Sequence, residues 1–308
     1  MGRAVDRSIV AGLVLAFSAA VIGAGWQLST RHAVVTVLAP PDLALLRYAV
    51  PALLLLPWLP PGGIWPDRVS RWRLLLIVTG AGLPFGLLAM SGAQLAPSSH
   101  MGVLVAGVAP LAAAAAAACL TRTWPLRSAL VGLALMATGV ALLGADAWVT
   151  MAHDTLAGDA LFVTAALLWA AFTLALRGVA LSTWQVVAVV NAWSLLLLAP
   201  WCAARLLVGS STLLHLTPAD LWWHGLLQGG VAGVLGIVTY VAAVARLGAA
   251  RAAASGALVP ALSAGGGAWW FGDRLGAFEI AAVAATVIGV ALASGALSLS
   301  TGRPRAVD

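Results

Sequence analysis

The chain has 308 residues, 62% of them hydrophobic and only 8% charged, with a mean hydropathy of +1.02, whereas a soluble domain carries about 25% charged residues. That balance excludes a soluble globular protein and places the chain in a lipid bilayer. The formal net charge is +6, but all sixteen basic residues are arginines, spread singly or in pairs between apolar runs; a nucleic-acid reader would gather its charge on one face, so no nucleic-acid partner is expected.

Ten apolar runs follow one another, at 8–28, 42–59, 73–92, 99–120, 127–145, 159–177, 185–205, 221–244, 249–271 and 276–299, each close to the roughly 20 residues that cross a bilayer as a helix. They are long and continuous, unlike the short alternating strands of a membrane barrel. The predicted fold is therefore an all-α integral membrane protein of ten transmembrane helices. The first run follows Arg3 and Arg7 and has the basic start of a signal peptide, but it belongs to a repeat and is expected to stay. The second carries Arg47, five residues after Asp42, read as a snorkelling or paired structural arginine. The third holds "GAGLPFGLLAMSG" (80–92), the eighth "QGGVAGVLGIVTY" (228–240). Pro110 in the fourth run and Pro260 in the ninth each remove a backbone donor; either both helices bend beside a cavity or the prolines fit curved packing. Trp269 and Trp270, just before Asp273 and Arg274, suit an interfacial belt.

The runs repeat. Residues 13–33 align with the sixth run at an offset of 146, placing Trp26 on Phe172 and Arg31 on Arg177; Pro110 falls on Pro260 and Gly139 on Gly289 at an offset of 150, and Pro84 faces Gly236 at 152. The expected organisation is a first five-helix half at 1–145, a connection at 146–157, a second half at 158–300 and a tail at 301–308. Five is odd, so the second half enters from the opposite side and the repeat is inverted. Arginine placement agrees, because basic residues collect on the cytoplasmic side. With both termini inside, Arg3, Arg7, Arg68, Arg71, Arg73, Arg122, Arg127, Arg177, Arg246, Arg251, Arg303 and Arg305 are cytoplasmic, while Arg31, Arg205 and Arg274 are outside.

Inverted repeats suit a secondary carrier that exposes one central site to two sides in turn. The prolines of helices four and nine, "FGDRLG" (271–276), "TGVAL" (138–142), "IGVAL" (288–292) and "LLRYAV" (45–50) together resemble the ten-helix EamA-type branch of the drug/metabolite transporter superfamily. Two departures stand out: Asp273 replaces the usual glutamate, and Thr123 holds the matching place in the first half. The resemblance implies a multi-pass carrier of the cytoplasmic (inner) membrane, commonly an exporter of small metabolites such as amino acids, with a cavity lined by helices one, three, four, six, eight and nine. A drug or other metabolite exporter of the same superfamily stays open.

For that cavity the candidates are Trp26, Pro84, Met90, Trp169, Phe172 and Tyr240, with Pro84, Pro110, Pro260 and Gly236 as helix bends. Intramembrane polar residues are functional by default, but Asp42, Asp159, Asp220 and Glu279 sit at helix starts, where capping is the simpler role. With no carboxylate at a helix centre, uniport or exchange of a neutral or zwitterionic solute is expected, with His100 the candidate for proton coupling. Cys119 and Cys202 lie far apart without metal spacing, so neither a metal nor a cofactor is expected. "AMSG" (89–92) and "AASG" (253–256) resemble serine-protease loops only faintly, lacking the first glycine, so the chain reads as a non-enzyme whose partners are a small solute and lipid. A monomer is expected, since no further segment is needed to complete the ten-helix unit.

Overall fold

The computed structural model describes residues 2–122, 124–247, 252 and 255–295, with backbone alone for 2–8 and 121. Thr123, Arg251, Arg303, Arg305, the first two residues of "AASG" and the 301–308 tail lie outside the described residues, as do the side chains of Arg3 and Arg7. Among the described residues every regular element is helical, as a chain must be when no water is present to satisfy its backbone.

The helices are α1 (Gly2–Thr36), α2 (Pro40–Leu54), α3 (Arg71–Ala81), α4 (Leu83–Leu95), α5 (Ser98–Thr121), α6 (Arg127–Val149), α7 (His153–Ala175), α8 (Thr183–Leu207), α9 (Pro218–His224), α10 (Gly236–Leu247), α11 (Leu258–Trp270) and α12 (Ala277–Ala293). A π-helical stretch, Gly225–Leu235, joins α9 to α10. Each of the ten predicted runs contains a helix, but among the described residues seven stretches, not ten, are long and apolar enough to cross a membrane: Ile9–Thr36, Arg71–Leu95, Ser98–Leu120, Arg127–Val149, His153–Ala175, Thr183–Leu207 and Pro218–Leu247. The other three, α2, α11 and α12, have 15, 13 and 17 residues. Pro57, Pro60 and Pro61 follow α2 and cannot extend it; α11 starts just past residues that are not described.

We call the end of the bundle where α1 finishes and α2 begins the upper end. Tryptophans form a girdle at each end, Trp148, Trp222, Trp223, Trp269 and Trp270 above and Trp58, Trp65, Trp72 and Trp124 below, all well exposed, as amphipathic rings at a membrane–water interface are. Trp26 and Trp169 instead lie well inside α1 and α7.

Two breaks shape the interior. Between α3 and α4 the chain kinks at Gly82, two residues before the predicted bend at Pro84, which occupies the second position of α4, where its missing N–H costs nothing. The kink is held from both sides: the Tyr48 hydroxyl donates to the Gly82 carbonyl at 2.6 Å, and the Leu83 amide donates to Ser194 Oγ at 3.0 Å. The second break is the π stretch, which ends at Gly236. Helix α5 runs on through Pro110, and α11 contains Pro260 near its start.

The two halves meet through equivalent residues. A Cβ at Gly139 of α6 would touch Thr286 and Ala282 of α12, while one at Gly289 of α12 would touch Met136 and Gly132 of α6; these positions pair at the same offset of 150. The contact is reciprocal, and small residues allow it to be close.

Candidate functional site

From the middle of the bundle downward, aromatic rings form a ladder. Trp26 stacks with Phe85 at 6.2 Å between centroids, Phe85 meets Trp169 at 5.2 Å, and Trp169 meets Phe172 at 5.2 Å. Trp26 and Phe172 are the repeat-equivalent residues of the first helix in each half, and Phe85 of α4 bridges them. Ring pairs at this spacing favour each other beyond simple burial. Phe85 is buried, Trp26 and Phe172 are half-buried, and Trp169 is 39% exposed, so the ladder runs from the interior to a partly open end.

Polar groups close the upper rung. Trp26 Nε1 donates to Gln228 Oε1 at 3.0 Å, and Gln228 Nε2 donates to Ser29 Oγ at 3.2 Å and Thr30 Oγ1 at 3.1 Å. Gln228 is fully buried in the π stretch, a rare geometry frequent at functional sites. Its backbone carbonyl accepts from Arg47 Nη1 at 3.0 Å, and the Arg47 guanidinium lies 5.4 Å from the Trp26 ring centre, within cation–π range. Arg47 thus turns inward, neither snorkelling nor paired with Asp42. The Asp42 carboxylate is taken by Arg205 at 3.2 Å and by the amide and hydroxyl of Thr212 at 2.7 and 2.6 Å.

Of the predicted cavity residues, the structure brings Trp26, Trp169 and Phe172 into one line, with Pro84 opening the helix that carries Phe85. Met90 is fully buried in the core beside Phe85 and Phe162. Tyr240, 43% exposed on α10, is not part of the ladder.

A second cluster closes the upper end. His100 of α5 sits between two carboxylates, Nδ1 at 2.8 Å from Asp159 of α7 and Nε2 at 3.3 Å from Glu279 of α12. Glu279 also accepts from Ser99 Oγ at 3.2 Å and the Gly276 amide at 2.9 Å. It caps its helix as expected, but the two acids are not only caps: they clamp one imidazole between three helices. A cavity of about 200 Å³ lies alongside, lined by His100, Asp146, Thr150, Asp273, Arg274 and Glu279 among others. Burial pushes the Asp273 carboxyl above its usual range, against the opposing pull of Arg31. Among the described residues no group of three or more His, Cys, Asp or Glu side chains could hold a metal ion.

The comparisons follow from this geometry. The sequence model of the EamA-like transporter family matches residues 10–145 and again 156–295. No curated protein matches the chain. A solved crystal structure resembles it with a TM-score of 0.60 and 20% identity, covering 95% of this chain and 99% of that one, a likeness in fold.

Proposed function

Since the chain belongs to the EamA-like transporter family, whose members carry small molecules across membranes, we propose that it is a secondary carrier that exports small metabolites, amino acids or similar zwitterionic and amphipathic solutes, across the cytoplasmic membrane by alternating access. In this reading all ten helices cross the bilayer as two inverted halves of five joined at 146–157, with both termini cytoplasmic. The observation that carries it is the ladder from Trp26 through Phe85 to Trp169 and Phe172. Its rings and a few fixed polar groups line up between the first helices of the two halves, bridged by Phe85 of α4, the composition of a small-molecule site. Rocking one half against the other about such a site would expose it to each side in turn.

The test is counterflow of a radiolabelled amino-acid panel in vesicles holding only the purified protein, with Trp169→Ala and Tyr240→Ala beside the parent. Saturable flux lost in Trp169→Ala supports the carrier and the ladder as its site. Flux that persists in Trp169→Ala moves the site elsewhere, and no flux for any member of the panel refutes the amino-acid assignment.

One observation favours a proton-coupled version of this carrier: His100 is held between Asp159 and Glu279, so a proton moving on or off this group changes the charge that ties three helices together. Transport unaltered by a pH step across the membrane removes that version.

A further inference from the structure

Arg47 stands at the first rung of the ladder without a counterion. It is the eighth residue of the fifteen in α2, about 10 Å along the axis from either helix end at 1.5 Å per residue. Among the described residues its guanidinium makes one hydrogen bond, to the Gln228 carbonyl, and no ion pair with a carboxylate. The acid on its own helix, Asp42, is engaged by Arg205 and Thr212. A guanidinium has five N–H donors and keeps its charge at any working pH. Arg47 is intermediate in exposure, and four of its five N–H donors have no hydrogen bond among the described residues.

The surroundings hold the guanidinium close against the π stretch. Gly229 and Gly233, four residues apart in the π stretch, let it close on α2: a Cβ at Gly229 would come 2.8 Å from the Leu46 carbonyl, and one at Gly233 would come 3.1 Å from Arg47 Nη1. Any side chain at Gly233 would crowd the guanidinium. On its other side lies the Trp26 ring, whose indole N–H is already committed to Gln228. A cation in a membrane interior is costly unless it is matched, and the features here that could match it, one carbonyl and one ring face, carry no full negative charge.

We infer that Arg47, over Trp26, is the seat for the carboxylate of a solute whose apolar body lies along Phe85 and Trp169, so that the substrate itself supplies the missing negative charge. The inference rests on the carrier reading and narrows it to solutes with one carboxylate and an apolar body. A carboxylate fits the planar fork of a guanidinium with two parallel hydrogen bonds, whereas a dianion such as a phosphate monoester would bring more charge than the single cation offsets.

The test compares N-acetyl-L-phenylalanine, an anion, with its neutral isostere N-acetyl-L-phenylalaninamide, by tryptophan fluorescence and thermal shift of the purified protein in micelles. The expected result is binding of the anion about tenfold or more tighter than the amide, the size of one charge-assisted contact. That preference should vanish in Arg47→Gln and persist in part in Arg47→Lys. Equal binding of the two probes by the parent protein, or no binding of the anion, overturns the inference, and neither result depends on a variant folding. So does an anion preference that survives in folded Arg47→Gln. Flux of the same pair into vesicles separates this from the carrier reading. If both probes cross equally, the carrier stands and the seat falls; if the anion binds through Arg47 but nothing crosses, the seat stands and the carrier falls.

Discussion

Replacing Gly139 with alanine puts a carbon where α6 meets α12, 2.5 Å from Thr286 Oγ1 and 2.8 Å from the Ala282 carbonyl oxygen. The hydroxyl can rotate, but the carbonyl belongs to the helix backbone, so the two helices must separate by several tenths of an ångström along their contact. Overpacking of this kind costs about 1–3 kcal/mol. The reciprocal change, Gly289→Ala, sets its carbon 2.7 Å from the Gly132 carbonyl and should cost about the same. Gly144 lies on the same helix with nothing within 4 Å of its Cβ position, so Gly144→Ala should be neutral or stabilise by up to about 1 kcal/mol through backbone entropy. Thermal unfolding of the three variants in one detergent, with flux measured alongside, gives the comparison. If Gly139→Ala proves as stable as Gly144→Ala, the last helices of the two halves do not meet as described and the reciprocal contact is refuted.

Two further changes test the breaks and the clasp that frame the site. Tyr48→Phe removes one of the two donors to the Gly82 carbonyl, which keeps the Gly86 amide, and should cost about 0.5–1.5 kcal/mol in unfolding while lowering flux, because the α3–α4 kink sets where Phe85 sits. Asp42→Ala strips the acceptor from Arg205 and Thr212 at the upper end. Breaking such a pair costs about 3–5 kcal/mol when both charges are buried; Asp42 is, but the Arg205 side chain is 21% exposed, so the measured loss should fall at or below the lower bound.

The helices were legible in the sequence because apolar length is all a bilayer asks of a spanning segment, and the repeat was legible because Pro110 with Pro260 and Gly139 with Gly289 mark equal offsets. The ladder was partly legible: Trp26, Trp169 and Phe172 are large rings in the interior of runs whose other tryptophans gather near the ends. What local pattern could not supply was partnership. Asp159 and Glu279 look like ordinary helix starts, and their shared imidazole lies 59 and 179 positions away. The inverted topology held the missing signal, since it puts the starts of helices four, six and ten on one side. Nearness along one helix makes Asp42 a partner for Arg47 beside the snorkelling reading, but the groups that take Asp42, Arg205 and Thr212, come from the far half of the chain.

That topology also makes the upper clamp one-sided, and this gives the last prediction. At the repeat offsets, Asp159, His100 and Glu279 correspond to Leu13, Ala252 and Ala129, so the lower end has apolar residues where the upper end has a charge cluster. The groups facing the imidazole are Asp159 from α7 and Glu279 from α12, which also accepts from Ser99, with Asp273 beside the adjoining cavity and Arg31 acting on Asp273. Protonated, His100 offsets both carboxylates; at alkaline pH it loses its charge, and two buried carboxylates are left facing a neutral ring. Losing a buried pair costs about 3–5 kcal/mol, which corresponds to roughly 10²–10⁴ in an opening equilibrium. Hydrogen exchange, corrected for its intrinsic pH dependence, should therefore show the first turns of α5, α7 and α12 protected near neutral pH and opening by about that factor at alkaline pH. His100→Gln should be open at both, whereas the lower ends of α1 and α10 should respond to neither change. Equal protection of the upper turns at the two pH values in the parent protein, or in His100→Gln and the parent near neutral pH, would show that packing, and not this charge cluster, keeps the upper end shut.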